Sequence, residues 1–326
     1  MNYLQAIIMG VIQGITELFP VSSLGHAILV PALVGGRWAT DLSMTGAKSP
    51  YLAFIVGLHV ATALALIVFF RRDWARIVGG LFSSLRHRRI QTASERLFWL
   101  LVIATIPVGL AGLLLEHSFR TVLGKPIPAA IFLIVNGLVL GAGELLRRRG
   151  NRIASESTGG PVRRGTHSLA SEPAAVLSEA DSVVDRMLGD DALADDAVLA
   201  TVSPWRAVAI GAAQAFALLP GISRSGISMV GAMAAGLTPR EAARFSFLLA
   251  TPVILGAGLL KLPSLFGPLG QGIHGQVVAG SIAAFVAALL AVGFLDRFLR
   301  TRTLMPFAIY SAIAGAGSLV WLLVSK

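Results

Sequence analysis

Gln13-Gly-Ile-Thr-Glu17-Leu-Phe-Pro20-Val-Ser22-Ser23-Leu-Gly25-His26 sets a carboxylate, two hydroxyls and an imidazole inside apolar sequence. Residues 3–12 upstream and 27–34 downstream are almost wholly hydrophobic. Ionisable groups at membrane depth are costly, and their presence points to function. As helices, residues 2–19 would be about 27 Å long and residues 23–34 about 18 Å. Neither crosses a hydrocarbon core of roughly 30 Å comfortably. The stretch is therefore one broken span or a re-entrant helical hairpin. Irregular backbone at that depth survives only where protein buries it or it lines a cavity.

The rest of the chain has the same character. Of its 326 residues 55% are hydrophobic and 13% charged, with mean hydropathy +0.76. Soluble domains carry about 25% charged residues. Long continuous apolar runs, without the alternation of a β-barrel, indicate an all-α polytopic membrane protein. The net charge of +10 lies beside apolar segments instead of forming one stripe, which argues for membrane orientation and against nucleic acid. The absence of cysteine excludes disulfides and thiolate metal sites. No basic n-region precedes the first apolar segment, so no cleavable signal peptide is expected.

Full spans are expected at 51–70, 97–115, 127–146, 241–261, 274–295 and 304–324. Residues 35–50 read as a polar loop, 71–96 as a strongly basic loop centred on Arg86-His-Arg-Arg89, and 116–126 as a short loop. A second interrupted segment, 205–236, breaks at Pro220-Gly-Ile-Ser223-Arg224-Ser225-Gly226. Residues 147–203 read as a disordered cytoplasmic linker between membrane repeats 1–146 and 204–326. Within it, eight acidic residues from Glu172 to Asp196 face Arg186 alone, the pattern of a solvated linker.

Orientation follows from the arginines. The basic stretches 71–96, 147–165 and 296–302 all belong on the cytoplasmic side. Two spans separate the first two stretches. The third is reached through 205–236 and two further spans, so 205–236 must enter and leave on one side. By the same count 2–34 is re-entrant from outside, and residues 1 and 326 lie outside. Each half is then one re-entrant helical hairpin plus three transmembrane helices, in opposite orientations. In such an inverted repeat the site is expected near the midplane, where the broken helices meet. Gly10-x-x-Gln13 followed by Pro20 and Ser22-Ser23 parallels Gly211-x-x-Gln214 followed by Pro220 and Ser223.

Gln13 and Glu17, at i and i+4, share a helix face. A carboxylate at this depth must be neutral, paired or metal-bound, and Glu17 fits a metal-ligand or acid–base role. Ser22 or Ser23 can cap the helix after Pro20, where exposed N–H groups favour an anion. His26, three residues after Ser23, reaches the same volume. His59 is a supporting candidate. Arg224, between Ser223 and Ser225, suits bidentate phosphate binding. The set fits phosphoryl transfer on a lipid: Arg224 neutralises charge, Ser23 attacks or orients a water, and His26 handles the proton. Glu17, alone or with Gln13, offers a hard oxygen site of the Mg²⁺ or Ca²⁺ type. A transporter or flippase of a polyprenyl phosphate lipid is the alternative.

At Gln13-Gly-Ile-Thr-Glu17, Pro20-Val-Ser-Ser-Leu-Gly-His26 and Pro220-Gly-Ile-Ser-Arg-Ser-Gly226 the chain resembles the undecaprenyl-diphosphate phosphatases of the bacitracin-resistance type. The likeness covers all but about 150–203. It implies hydrolysis of undecaprenyl diphosphate, a divalent cation, a bacterial cell membrane location, a site open to the outer face, and room for a homodimer. It also implies catalytic roles for Glu17, Ser23, His26 and Arg224, and phosphate binding by Ser223 and Arg224, to which the hydroxyls of Ser22 and Ser225 at the breaks are added. Gln13 stands where many members of that family have Glu, and Leu24 where many have Thr.

Overall fold

A computed structural model describes residues 1–44, 49–157, 194–268 and 270–325; the acidic run 172–193 lies outside these. The described residues are helical throughout: α1 (Tyr3–Leu18), α2 (Ser23–Val34), α3 (Gly36–Asp41), α4 (Pro50–Phe69), α5 (Arg71–His87), α6 (Ala93–Leu123), α7 (Pro126–Ser157), α8 (Pro204–Ala213), a 3₁₀ turn (Gln214–Leu218), α9 (Arg224–Ala234), α10 (Pro239–Lys261), α11 (Pro263–Phe266), α12 (His274–Leu299) and α13 (Met305–Val324). A further helical stretch covers 194–199. Six helices, α4, α6, α7, α10, α12 and α13, are long and apolar enough to cross a membrane. They coincide with the six expected spans.

Helix ends follow local chemistry. Asn2 and Gln5 form a reciprocal capping box at α1, and Thr238 and Glu241 form another at α10. Pro50 and Pro239 sit in the first turns of α4 and α10, where no N–H is needed. Both breaks have one cause. Pro20 and Pro220 force the preceding residue out of helical geometry, and Phe19 (ψ 141°) and Leu219 (ψ 119°) are extended. The second break opens earlier than expected, because the helix tightens into a 3₁₀ turn from Gln214 before Pro220 is reached.

Small residues bring the helices together, as in membrane bundles where close van der Waals packing replaces the hydrophobic drive. A side chain at Gly10 or Gly14 of α1 would collide with the α12 backbone at Gly280 and Ala284. Gly137 of α7 meets Ala308 and Ala312 of α13, and Gly211 of α8 meets Ala104 of α6. α4 packs between α12 and α10.

Three expected loops need correction. Residues 71–96 contain a helix, α5, because Ile77, Gly80 and Ser84 recur at helical spacing and are buried. The polar stretch 35–50 includes the short α3. The turn expected over 116–126 narrows to 124–125, since α6 and α7 run almost into each other.

The end of the acidic stretch departs from a solvated linker. Asp196 is fully buried. It accepts from Arg76 Nε at 3.1 Å, Ser94 Oγ at 3.0 Å and Arg244 Nη2 at 3.3 Å. Arg244 also pairs with Asp73 and Asp195. This cluster ties residues 194–199 to α5, α6 and α10. Glu144 is likewise buried, held by Arg147 and Arg148.

Candidate functional site

The two breaks meet. Ser22 adopts φ 68°, ψ 99°, a rare conformation for a side-chain-bearing residue. Its hydroxyl oxygen accepts from Gly25 N, capping α2, and from Gly221 N of the second break, both at 3.2 Å. Gly221 has φ 111° and lies against the α7 backbone, where no side chain fits. Asn136 of α7, buried, completes the junction. Its amide donates to Pro20 O (2.9 Å) and Ser311 Oγ (3.2 Å), and its carbonyl accepts from Ser223 N (2.9 Å).

On this frame Glu17 is the hub. Its Oε2 accepts from Gln13 Nε2 at 3.0 Å and from the Ser23 hydroxyl through a short bond. His59 Nε2 of α4 lies 3.4 Å from the same oxygen. Across the junction Arg224 Nη1 stands 3.9 Å from Oε1, a loose pair. That Nη1 is buried and has no hydrogen-bond partner among the described residues. A guanidinium nitrogen so placed is short of an acceptor, and leaving it so is costly unless a ligand arrives. The Arg224 side chain is 24% exposed, so a ligand can reach it.

His26 lies apart from Ser23. Its Nδ1 lies 2.8 Å from Ser22 O and its Nε2 2.8 Å from Tyr310 OH of α13, with the two rings stacked 7° from parallel. A carbonyl only accepts, so Nδ1 carries a proton; in the neutral ring Nε2 then accepts a hydrogen bond from the Tyr310 hydroxyl. Ser23 bonds to Glu17, and no hydrogen bond joins it to His26 among the described residues.

Ser223 and Ser225 are committed to the scaffold. Ser223 Oγ caps α9 at Gly226 N (3.1 Å) and lies 3.0 Å from Ser225 Oγ, which donates to Phe19 O at 3.4 Å. With the Ser225 proton spent on Phe19, the Ser223 hydroxyl donates to Ser225. Glu17, Ser23 and Arg224 thus meet at the junction, His26 faces Tyr310 from the first turn of α2, and Ser22, Ser223 and Ser225 knit the breaks.

Among the described residues no group of three or more His, Cys, Asp or Glu side chains gathers in the manner of a full metal cage. Gln13 Oε1, however, is buried without a hydrogen-bond partner on the Glu17 face of α1. An orphan acceptor beside a carboxylate suits a hydrated divalent cation, which takes one or two protein oxygens and fills its shell with water and phosphate. Tyr310 and Asn136 had no sequence signal. They come from 284 and 116 residues away from their partners in the first break.

The family described as bacitracin resistance protein BacA matches residues 6–317. A protein of Mycolicibacterium paratuberculosis named undecaprenyl-diphosphatase is 61% identical over 322 residues, covering 99% of this chain and 98% of its own. Undecaprenyl-diphosphatase 1 of Frankia casuarinae is 48% identical over 97% of this chain and 96% of its own. The undecaprenyl-diphosphatase of Granulibacter bethesdensis is 38% identical over 99% and 97%.

Proposed function

The chain belongs to the bacitracin resistance protein BacA family, and from that premise we propose that it is an integral-membrane phosphatase hydrolysing undecaprenyl diphosphate to undecaprenyl phosphate and inorganic phosphate. The names of its relatives support this activity and do not favour the lipid-transport alternative. One observation carries the site assignment: Arg224 Nη1, buried and lacking a hydrogen-bond acceptor, faces the Glu17–Ser23 pair across the junction of the two breaks.

Arg224 takes oxygens of the terminal phosphate through its planar fork, holding negative charge that grows as the anhydride breaks. Glu17 holds the Ser23 hydroxyl and accepts its proton as Ser23 Oγ attacks the terminal phosphorus or orients an attacking water. The bond to the bridging oxygen breaks, and its electron pair leaves with undecaprenyl phosphate. If Ser23 bears the phosphoryl group, water then releases it as inorganic phosphate. His26, held by Ser22 and Tyr310, keeps Nε2 as the nitrogen that exchanges a proton. Glu17 and Gln13 Oε1 would hold a divalent cation, Mg²⁺ or Ca²⁺, which supplies further charge neutralisation when bound.

The membrane is the bacterial inner membrane, with the site open to its outer face and residues 1 and 326 on that side. The arginines of α5, 147–149 and 297–302, all cytoplasmic in this scheme, support it. The inverted repeat of 1–146 and 204–326 has support in the packing. α1 lies on the second long helix of the other half, α12; α8 lies on the second long helix of the first, α6; the third long helices, α7 and α13, pair.

The test is phosphate release from undecaprenyl diphosphate by purified protein in detergent. Arg224→Ala and Glu17→Ala are each expected to lose about 10²–10³-fold, the scale of deleting one charge-stabilising donor. Wild-type rates in either variant would end the assignment.

A further inference from the structure

Helix α5 carries exposed chemistry that the phosphatase site does not use. One face is spoken for: Ile77, Gly80 and Ser84 are buried, Trp99 Nε1 donates to Ser84 Oγ at 3.2 Å, and Gly80 abuts the backbone at Ser94 and Glu95. The other face shows Val78, Phe82 and Leu85, with Phe82 67% and Leu85 57% exposed, spaced i, i+4, i+7. Arg86, Arg88 and Arg89 cluster at its C-terminal end. All three are exposed, and none has an ion-pair or hydrogen-bond partner among the described residues. Arg88 sits in the left-handed region (φ 52°) and ends the helix there.

The depth of this surface follows from its neighbours. α4 has 20 residues, about 30 Å, the thickness of a hydrocarbon core, and α5 starts after Phe70. The contacts of α5 with α6 fall at Ser94, Glu95 and Trp99, the first two turns of that span. Gly80 meets Glu95 and Ser84 meets Trp99, so α5 packs against the first two turns of α6, at the end where that span begins. An apolar stripe edged by unpaired arginines at this level matches the bilayer surface: apolar side chains at the acyl boundary and guanidinium groups among the headgroups.

We propose that α5 is an interfacial helix that recruits anionic phospholipid, with Phe82 and Leu85 in the acyl region and Arg86, Arg88 and Arg89 on the headgroup phosphates. Guanidinium forks match phosphate, and none of the three is in an ion pair among the described residues. The surface stands independently of the catalytic reading, because no residue of the phosphatase site belongs to it.

The experiment uses the full chain in phosphatidylcholine vesicles carrying a trace of photoactivatable phosphatidylglycerol or of matched photoactivatable phosphatidylcholine. Adducts are mapped by peptide mass spectrometry. Near-surface basic residues each contribute about a fivefold preference for anionic lipid, so labelling of 78–90 should favour phosphatidylglycerol by at least about tenfold at low salt. The preference should shrink toward one in R86Q/R88Q/R89Q and survive in R86K/R88K/R89K, which keeps the charge. Equal labelling by the two lipids, or an unchanged preference in the glutamine variant, would overturn the proposal. Phosphate release measured on the same samples reports separately on the catalytic reading.

Discussion

Two of the buried charge clusters among the described residues, those around Asp196 and Glu17, are built on different terms. Around Asp196, every carboxylate has a guanidinium in contact: Arg76 reaches Asp73 at 2.6 Å and Asp196 at 3.1 Å, and Arg244 reaches Asp73, Asp195 and Asp196. Around Glu17 the carboxylate is crowded by Gln13, Ser23 and His59, yet its arginine stands off at 3.9 Å with a buried nitrogen unused. In the first cluster every carboxylate is paired, Arg244 Nε being its one buried atom without a partner among the described residues, and the cluster holds elements in place. The second is left short of an acceptor, as a site must be if a phosphate is to complete it. Pairing of charge in a buried place therefore does not reveal function by itself; incomplete pairing at a junction of irregular backbone does.

The sharpest way to break this comparison is to exchange the outcomes. Arg224→Lys keeps a charge but loses the fork, and is expected to lower phosphate release by about 10²-fold with an unchanged melting temperature in detergent. A large fall in melting temperature would make Arg224 a structural ion instead. Asp196→Asn should do the reverse. Removing the shared negative charge, and one of its two acceptor oxygens, from Arg76 and Arg244 is expected to cost about 3 kcal/mol, read as earlier thermal unfolding, while activity per folded molecule stays at the parent value. Reduced turnover at full folding would tie this cluster to catalysis. Tyr310→Phe removes the hydroxyl on His26 Nε2 and should reduce kcat about tenfold with little change in KM; a parent-like kcat removes Tyr310 from the site. The smallest effect is expected at Gln13→Glu. A second carboxylate beside Glu17 should lower the Mg²⁺ concentration for half-maximal activity by roughly severalfold, and an unchanged requirement would place the cation elsewhere.

The architecture was legible where physics acts along the chain. Six apolar runs ended by arginines located the spans, and Pro20 and Pro220 located the breaks, because a residue before proline leaves helical geometry whatever surrounds it. The partners of Ser23 were not legible. Spacing put His26 within reach, but Glu17 lies on the preceding helix and arrives only when the chain folds back at Pro20. Asn136 and Tyr310 are ordinary residues in apolar spans, and nothing local marks them. α5 was hidden by its charge: the arginines dominated the reading, while the Ile77, Gly80 and Ser84 periodicity went with the buried face. Asp196 was hidden by its acidic neighbours, since a run of like charges reads as solvated unless its counter-ions are known to converge from 120 and 48 residues away.

Ser22 and Gly221, joined by one hydrogen bond, are 199 residues apart. At ribosomal rates of about 5–20 residues per second, the second break emerges roughly 10–40 s after the first. For that interval Glu17 has Gln13, Ser23 and His59 for company but no arginine. The site therefore exists only once both breaks have been made, and its chemistry waits on the second half of the chain.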